Sequence, residues 1–179
     1  MLELDLPKMD FFDESTERFF TSKACRVQLE HSLLAVSKWE AKFEIPFQGP
    51  TPKTTEQTLA YVDFMFQSEY TPVRAYLVKE LFLKEVQEYI GTSASATTFR
   101  ETPGQGISRE IVTSEMIYYW MTVHSIPFEA EKWHLNRLLS LIRIANIKAQ
   151  PPKKQSRSAA AQQRHQLNAQ RRAQTGSRG

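Results

Sequence analysis

The chain has 179 residues, a single cysteine and a formal net charge of +3. That length fits one domain, or one domain with a tail. No apolar run approaches the roughly 20 residues that span a bilayer, and the lone Cys25 excludes an internal disulfide and fits a reducing cytoplasm.

The opening Met-Leu-Glu-Leu-Asp-Leu-Pro is acidic and lacks the basic region and apolar core of a secretory signal. Leu2, Leu4 and Leu6 alternate with Glu3 and Asp5, the period of a half-buried strand that Pro7 ends. Phe11, Phe12, Phe19 and Phe20 stand as aromatic anchors around an acidic stretch. Lys23 to Leu29 reads as a second short strand, pairing with the first.

Glu30 to Phe43 reads as a helix with Leu33, Leu34, Val36, Trp39 and Phe43 on its apolar side. A Pro/Gly-containing loop follows over 45–52. Thr54 and Gln57 have capping-box spacing and open the next helix. Pro72 suits the first turn of a third helix running to about Ile90, where Gly91 is a stop signal. Residues 91–112 are irregular, with strand preference at Thr97, Thr98 and Phe99. Gly104 and Gly106 resemble a phosphate loop only superficially, because no Gly-Lys-Ser/Thr follows.

Thr113 to Ile147 reads as a helical hairpin. Thr113 or Ser114 caps its first helix, Met116, Ile117, Trp120 and Met121 form one face, and Pro127 stops it. The second helix restarts after Phe128 with Glu129 and Glu131 in its first turn, then Leu135, Leu138, Leu139, Ile142 and Ala145 along one face. His124 and His134 lack the spacing of helical metal ligands and read as packed or surface histidines. Cys25 has no matched histidine motif and reads as a small packed residue.

From Lys148 onward there are eight basic residues and no acidic ones, leaving 15 basic and 20 acidic residues before it, a net −5. The chain is therefore an acidic body with a basic tail. Pro151-Pro152 breaks the last helix. The tail is too poor in large apolar residues to offset its ordering entropy and should be disordered alone, although Ala159 to Arg172 has the propensity to fold as a helix when bound. Lys153, Lys154, Arg157, Arg164, Arg171 and Arg172 would give it electrostatic, salt-sensitive affinity for nucleic acid. A docking or solubility tail is the blander reading.

The expected fold is mainly α: a helical bundle with a C-terminal helical hairpin, to which residues 1–30 can add a short N-terminal β-hairpin. The expected division is a helical body over 1–149 and the basic tail over 150–179. Paired carboxylates such as Glu85 and Glu88 occur on solvated helix faces as a matter of course, and no nucleophile elbow, metal triad or nucleotide loop accompanies them. The expectation is a protein that is not an enzyme and uses no cofactor or metal.

Several stretches resemble one family of tailed-bacteriophage proteins. They are Glu30-His-Ser-Leu-Leu-Ala-Val-Ser-Lys-Trp-Glu-Ala-Lys-Phe-Glu-Ile-Pro-Phe47, Thr55-Glu-Gln-Thr-Leu-Ala-Tyr61, Ala96-Thr-Thr-Phe99, Thr113-Ser-Glu-Met-Ile-Tyr-Tyr-Trp-Met121, Ile126-Pro-Phe-Glu129 and Trp133-His-Leu-Asn-Arg-Leu-Leu-Ser-Leu-Ile142, with the tail around Leu167-Asn-Ala-Gln-Arg-Arg172 and the closing Thr175-Gly-Ser-Arg-Gly179. The family looks like the siphophage tail assembly chaperones. The resemblance implies a small, mostly helical, acidic-bodied protein that binds the tape-measure protein in the host cytoplasm and keeps it soluble while the tail tube polymerises. Trp39, Phe47, Tyr118 and Tyr119 are then the candidate partner contacts, each also suited to the core. Self-association and contacts with other tail proteins are further expectations, and no membrane partner is expected. A chaperone has no evident need of a basic tail. A structural virion component of head, neck or tail, with its arm on DNA or neighbouring subunits, is the alternative.

Overall fold

A computed structural model describes residues 1–13, 17–99, 111–149 and 157–175. They form two compact units, 1–145 and 146–179. Helix predominates, and four short strands make the fold mixed.

The strands β1 (Leu2–Leu6), β2 (Met9–Asp13), β3 (Arg18–Ser22) and β4 (Cys25–Leu29) make two antiparallel pairs, β1 with β4 and β2 with β3. The expected β1–β4 pairing is present, with Leu4 opposite Val27 and Leu6 opposite Cys25. Its alternation is physical: Leu4, Leu6, Val27 and Leu29 are buried, while Arg26 on the other face reaches Asp5 at 2.7 Å and Glu3 at 3.4 Å. The inner pair, β2–β3, keeps the same register, since Met9 meets Ser22 after two residues are skipped on each arm. The four strands are thus one hairpin ribbon, interrupted where Pro7 has no N–H to give.

The interruption exchanges the faces. By alternation, Phe12 and Phe19 continue the row of Leu4, Leu6, Val27 and Leu29, yet both are exposed. Phe11, from the opposite row, packs against the core instead. Two-stranded ribbons twist strongly, and the unpaired step lets this one turn over.

Helix α1 (Leu33–Phe43) begins later than its periodicity suggests. Glu30 is still held in extended form, its N–H donating to the Met65 carbonyl at 2.8 Å, and Ser32 then caps the helix. Glu44 closes α1 in the left-handed conformation, φ 55°. α1 is the centre of the body: α2 (Thr55–Phe64), α5 (Ser114–Val123) and a 3-10 turn (Phe128–Lys132) all pack on it. The Thr54–Gln57 capping box opens α2 as expected.

The expected single helix from Pro72 to Ile90 is two, α3 (Pro72–Leu81) and α4 (Leu83–Ile90). Phe82 leaves the helical region (φ −129°, ψ 15°) with its side chain half-buried against the core. Thr97–Phe99 is not a strand. The Phe99 ring instead lies 4.1 Å from the Arg143 guanidinium.

The second half of the expected hairpin also differs. Glu129 and Glu131 belong to the 3-10 turn, and α6 (Leu135–Ala149) starts only after His134. The reason lies far away in sequence. His134 bridges Ser32 in strand fashion, and the Leu135 N–H donates to the His31 carbonyl at 2.7 Å, which holds this segment extended.

The core gathers Leu29, Leu33, Trp39, Met65, Leu77, Ile117, Met121, Leu135 and Leu138, all fully buried. Trp39 sits within it, its indole N–H donating to the Gln57 carbonyl at 2.8 Å. In the second unit, the segment expected to be disordered alone forms helix α7 (Arg157–Thr175), which includes the 159–172 stretch of high helix propensity. No helix among the described residues is long and apolar enough to cross a membrane.

Candidate partner interface

The inner ribbon displays an outward aromatic pair. Phe12 and Phe19 form a cross-strand pair, ring centroids 4.9 Å apart, and are 51% and 80% exposed. On the other face Phe11 stacks on Phe20 at 5.4 Å and meets the edge of Tyr76 from α3 at 6.1 Å. Phe20 and Tyr76 are themselves exposed. One ribbon face is therefore seated on the body while the other presents paired phenylalanines to solvent. Such a pair is costly to leave in water and marks a surface suited to an apolar partner.

The four aromatics singled out from sequence are distributed otherwise. Trp39 has no exposed surface, so of its two readings, contact and core, it takes the core one. Tyr118 is half-buried and donates its hydroxyl to Glu131 at 2.8 Å, a contact that, after burial itself, raises its pKa. Tyr119 faces outward, 66% exposed, with exposed Val123 one turn on. Phe47 is half-buried between Trp39 and Tyr61 and lines a cavity described below. The structure does not gather these four into one surface. Sequence reasoning noted Phe12 and Phe19 but had no means of telling which phenylalanines face out.

Among the basic residues, Lys153 and Lys154 lie outside the described residues. Arg157 is the first residue of α7. Arg164, Arg171 and Arg172 are exposed on it, and at seven- and eight-residue spacing they share one side of the helix.

A second feature is a buried polar cluster beside α1. The His31 Nδ1 and the Tyr61 hydroxyl share a hydrogen bond of 2.7 Å, and the His31 and His134 rings meet edge to face at 5.1 Å. His134 Nε2 lies 3.2 Å from the Tyr89 carbonyl, and the Tyr89 hydroxyl donates to Glu30 at 2.6 Å. The other Glu30 oxygen pairs with the Met1 amino group at 2.9 Å. Burial, then the neighbouring His134, draws His31 down to about 4, against the opposing pull of Glu30. Burial also raises the hydroxyls of Tyr61 and Tyr89, with Glu30 adding to both. At neutral pH His31 is thus a neutral imidazole bonded to the protonated Tyr61 phenol. Every buried group in it is engaged, and its geometry is that of a tie between the ends of β4, α4 and α6. Among the described residues no group of three or more His, Cys, Asp or Glu is placed to hold a metal ion.

The third feature is a cavity of about 220 Å³ between α2 and α4, walled by Phe47, Tyr61, Val62, Leu83, Val86 and Ile90. Lys53 stands at its wall, its Nζ 4.3 Å from the Phe47 ring centroid and 5.6 Å from that of Trp39. No family model, curated protein or solved structure matches the chain.

Proposed function

We propose that this chain is a non-enzymatic morphogenesis factor of a phage tail, an assembly chaperone that binds the tape-measure protein. The observation that carries the reading is the outward Phe12–Phe19 pair on a ribbon whose opposite face is anchored to the body. A two-sided ribbon offers an apolar platform and open strand edges to a partner that would otherwise aggregate. The resemblance of the Thr113–Ile142 stretch to tail assembly chaperones supplies the identity of that partner. The setting is the host cytoplasm during virion assembly.

The test is co-expression. The tape-measure protein should be soluble with this chain and should precipitate without it, or with Phe12→Ser/Phe19→Ser. Tape-measure solubility indifferent to this chain would remove the reading.

The charge split favours a second reading, a structural virion component whose basic arm contacts DNA or neighbouring subunits. Quantitative proteomics of mature particles separates the two. A chaperone is depleted from particles, and a structural part is retained at fixed copy number.

A further inference from the structure

The cavity between α2 and α4 has a chemistry of its own. Its walls are mostly apolar, Thr58 and Gln87 also line it, and the charged group at its edge is the Lys53 cation. Among the described residues no carboxylate pairs with Lys53. Its ammonium rests on the faces of Phe47 and Trp39, contacts that compensate desolvation only in part. Burial accordingly pulls Lys53 below the usual lysine range. A carboxylate brought beside it would pair with that charge, and the apolar walls beneath would keep water from the pair.

Resting on the reading of this chain as a partner-binding assembly factor, we propose that this cavity takes one large apolar side chain of an acidic, amphipathic segment of the partner, and that Lys53 pairs with a carboxylate next to it. The charge complementarity selects among occupants. A basic segment would set a second cation against Lys53, and a purely apolar one would leave Lys53 desolvated and unpaired. The site is separate from the Phe12–Phe19 platform and adds selectivity to it, since paired phenylalanines accept any apolar surface.

The full chain, methyl-labelled for NMR, is titrated with three probes of equal shape: 4-phenylbutyrate, 4-phenylbutanol and 4-phenylbutylamine. The expected result is shifts centred on the methyls of Val62, Leu83, Val86 and Ile90. The carboxylate should bind about tenfold more tightly than the alcohol, as one charge-assisted contact gives, and the amine most weakly. Lys53→Met should bring the carboxylate to the affinity of the alcohol. No shift at these methyls, or equal affinity for the three probes, overturns the inference, and the wild-type series decides this even if the variant fails to fold. In co-expression, Lys53→Glu should lose tape-measure solubility, and full retention would also overturn it. If the probes do not bind but Phe12→Ser/Phe19→Ser abolishes solubility, the cavity inference fails and the chaperone reading stands. If tape-measure solubility ignores the whole chain, the chaperone reading itself fails.

Discussion

Glu40, in the middle of α1, caps a helix that begins 74 residues later, its Oε2 accepting the Ser114 N–H at 2.8 Å. Its other oxygen accepts the Phe47 N–H at 2.7 Å. A single buried carboxylate thereby fastens both the loop after α1 and the start of α5, where Thr113 makes no side-chain cap. Glu40→Ala should leave two N–H groups without partners and lower stability by about 2–5 kcal/mol. Glu40→Gln, which keeps one acceptor, should lose less. Urea unfolding of both variants checks the order, and equal losses would show that the oxygens do not act separately.

His31 makes stability depend on pH. The unfolded side chain takes up a proton near 6.5, whereas the buried one does so only near 4. The unfolded state therefore binds more protons between these values, and stability falls as pH drops from about 6.5 to about 4, then levels off. A shift of that size corresponds to roughly 3 kcal/mol at most. Unfolding free energies measured across this range should show a slope that His31→Asn flattens. An unchanged slope in the variant would assign the dependence elsewhere.

The ribbon's phenylalanines separate binding from folding. Phe12 and Phe19 touch each other more than the core, so Phe12→Ser/Phe19→Ser should cost no more than about 1.5 kcal/mol, the order of one aromatic pair. The same change should weaken dye binding to exposed apolar surface and abolish partner rescue. A large drop in thermal midpoint would show that the pair supports the fold.

How much was legible in the sequence follows from how local each signal is. The Thr54–Gln57 box, Pro72 at the start of α3 and the Leu2–Leu6 alternation each announce themselves within one turn or one strand. β2 and β3 did not, because Phe11-Phe12 and Phe19-Phe20 come as adjacent pairs and blur the two-residue period. The α3–α4 break has neither proline nor glycine at Phe82 to mark it. The late start of α6 depends on a strand-like bridge to Ser32, and Lys53 reaches its aromatic neighbours only after folding. Such features arise from tertiary contact, which no window of sequence contains.

Glu44 offers a gain. It ends α1 at φ 55°, a conformation that strains a side-chain-bearing residue and suits glycine. Glu44→Gly should raise stability by up to about 1 kcal/mol, read as a higher urea midpoint at unchanged slope. A lower midpoint would mean that the Glu44 side chain does more for the fold than its backbone costs.

The ribbon also constrains how this sequence can change length. Its two arms count in step from Leu2–Leu29 to Asp13–Arg18, so the connection beyond Asp13 can lengthen or shorten without disturbing which residues face outward. One residue added within either arm beyond Pro7 is different. It would shift the parity of that arm and bring Phe11 or Phe20 to the solvent side in place of its neighbour. Natural length variation compatible with this platform should therefore fall at the tip, and the arms should tolerate substitution far better than insertion.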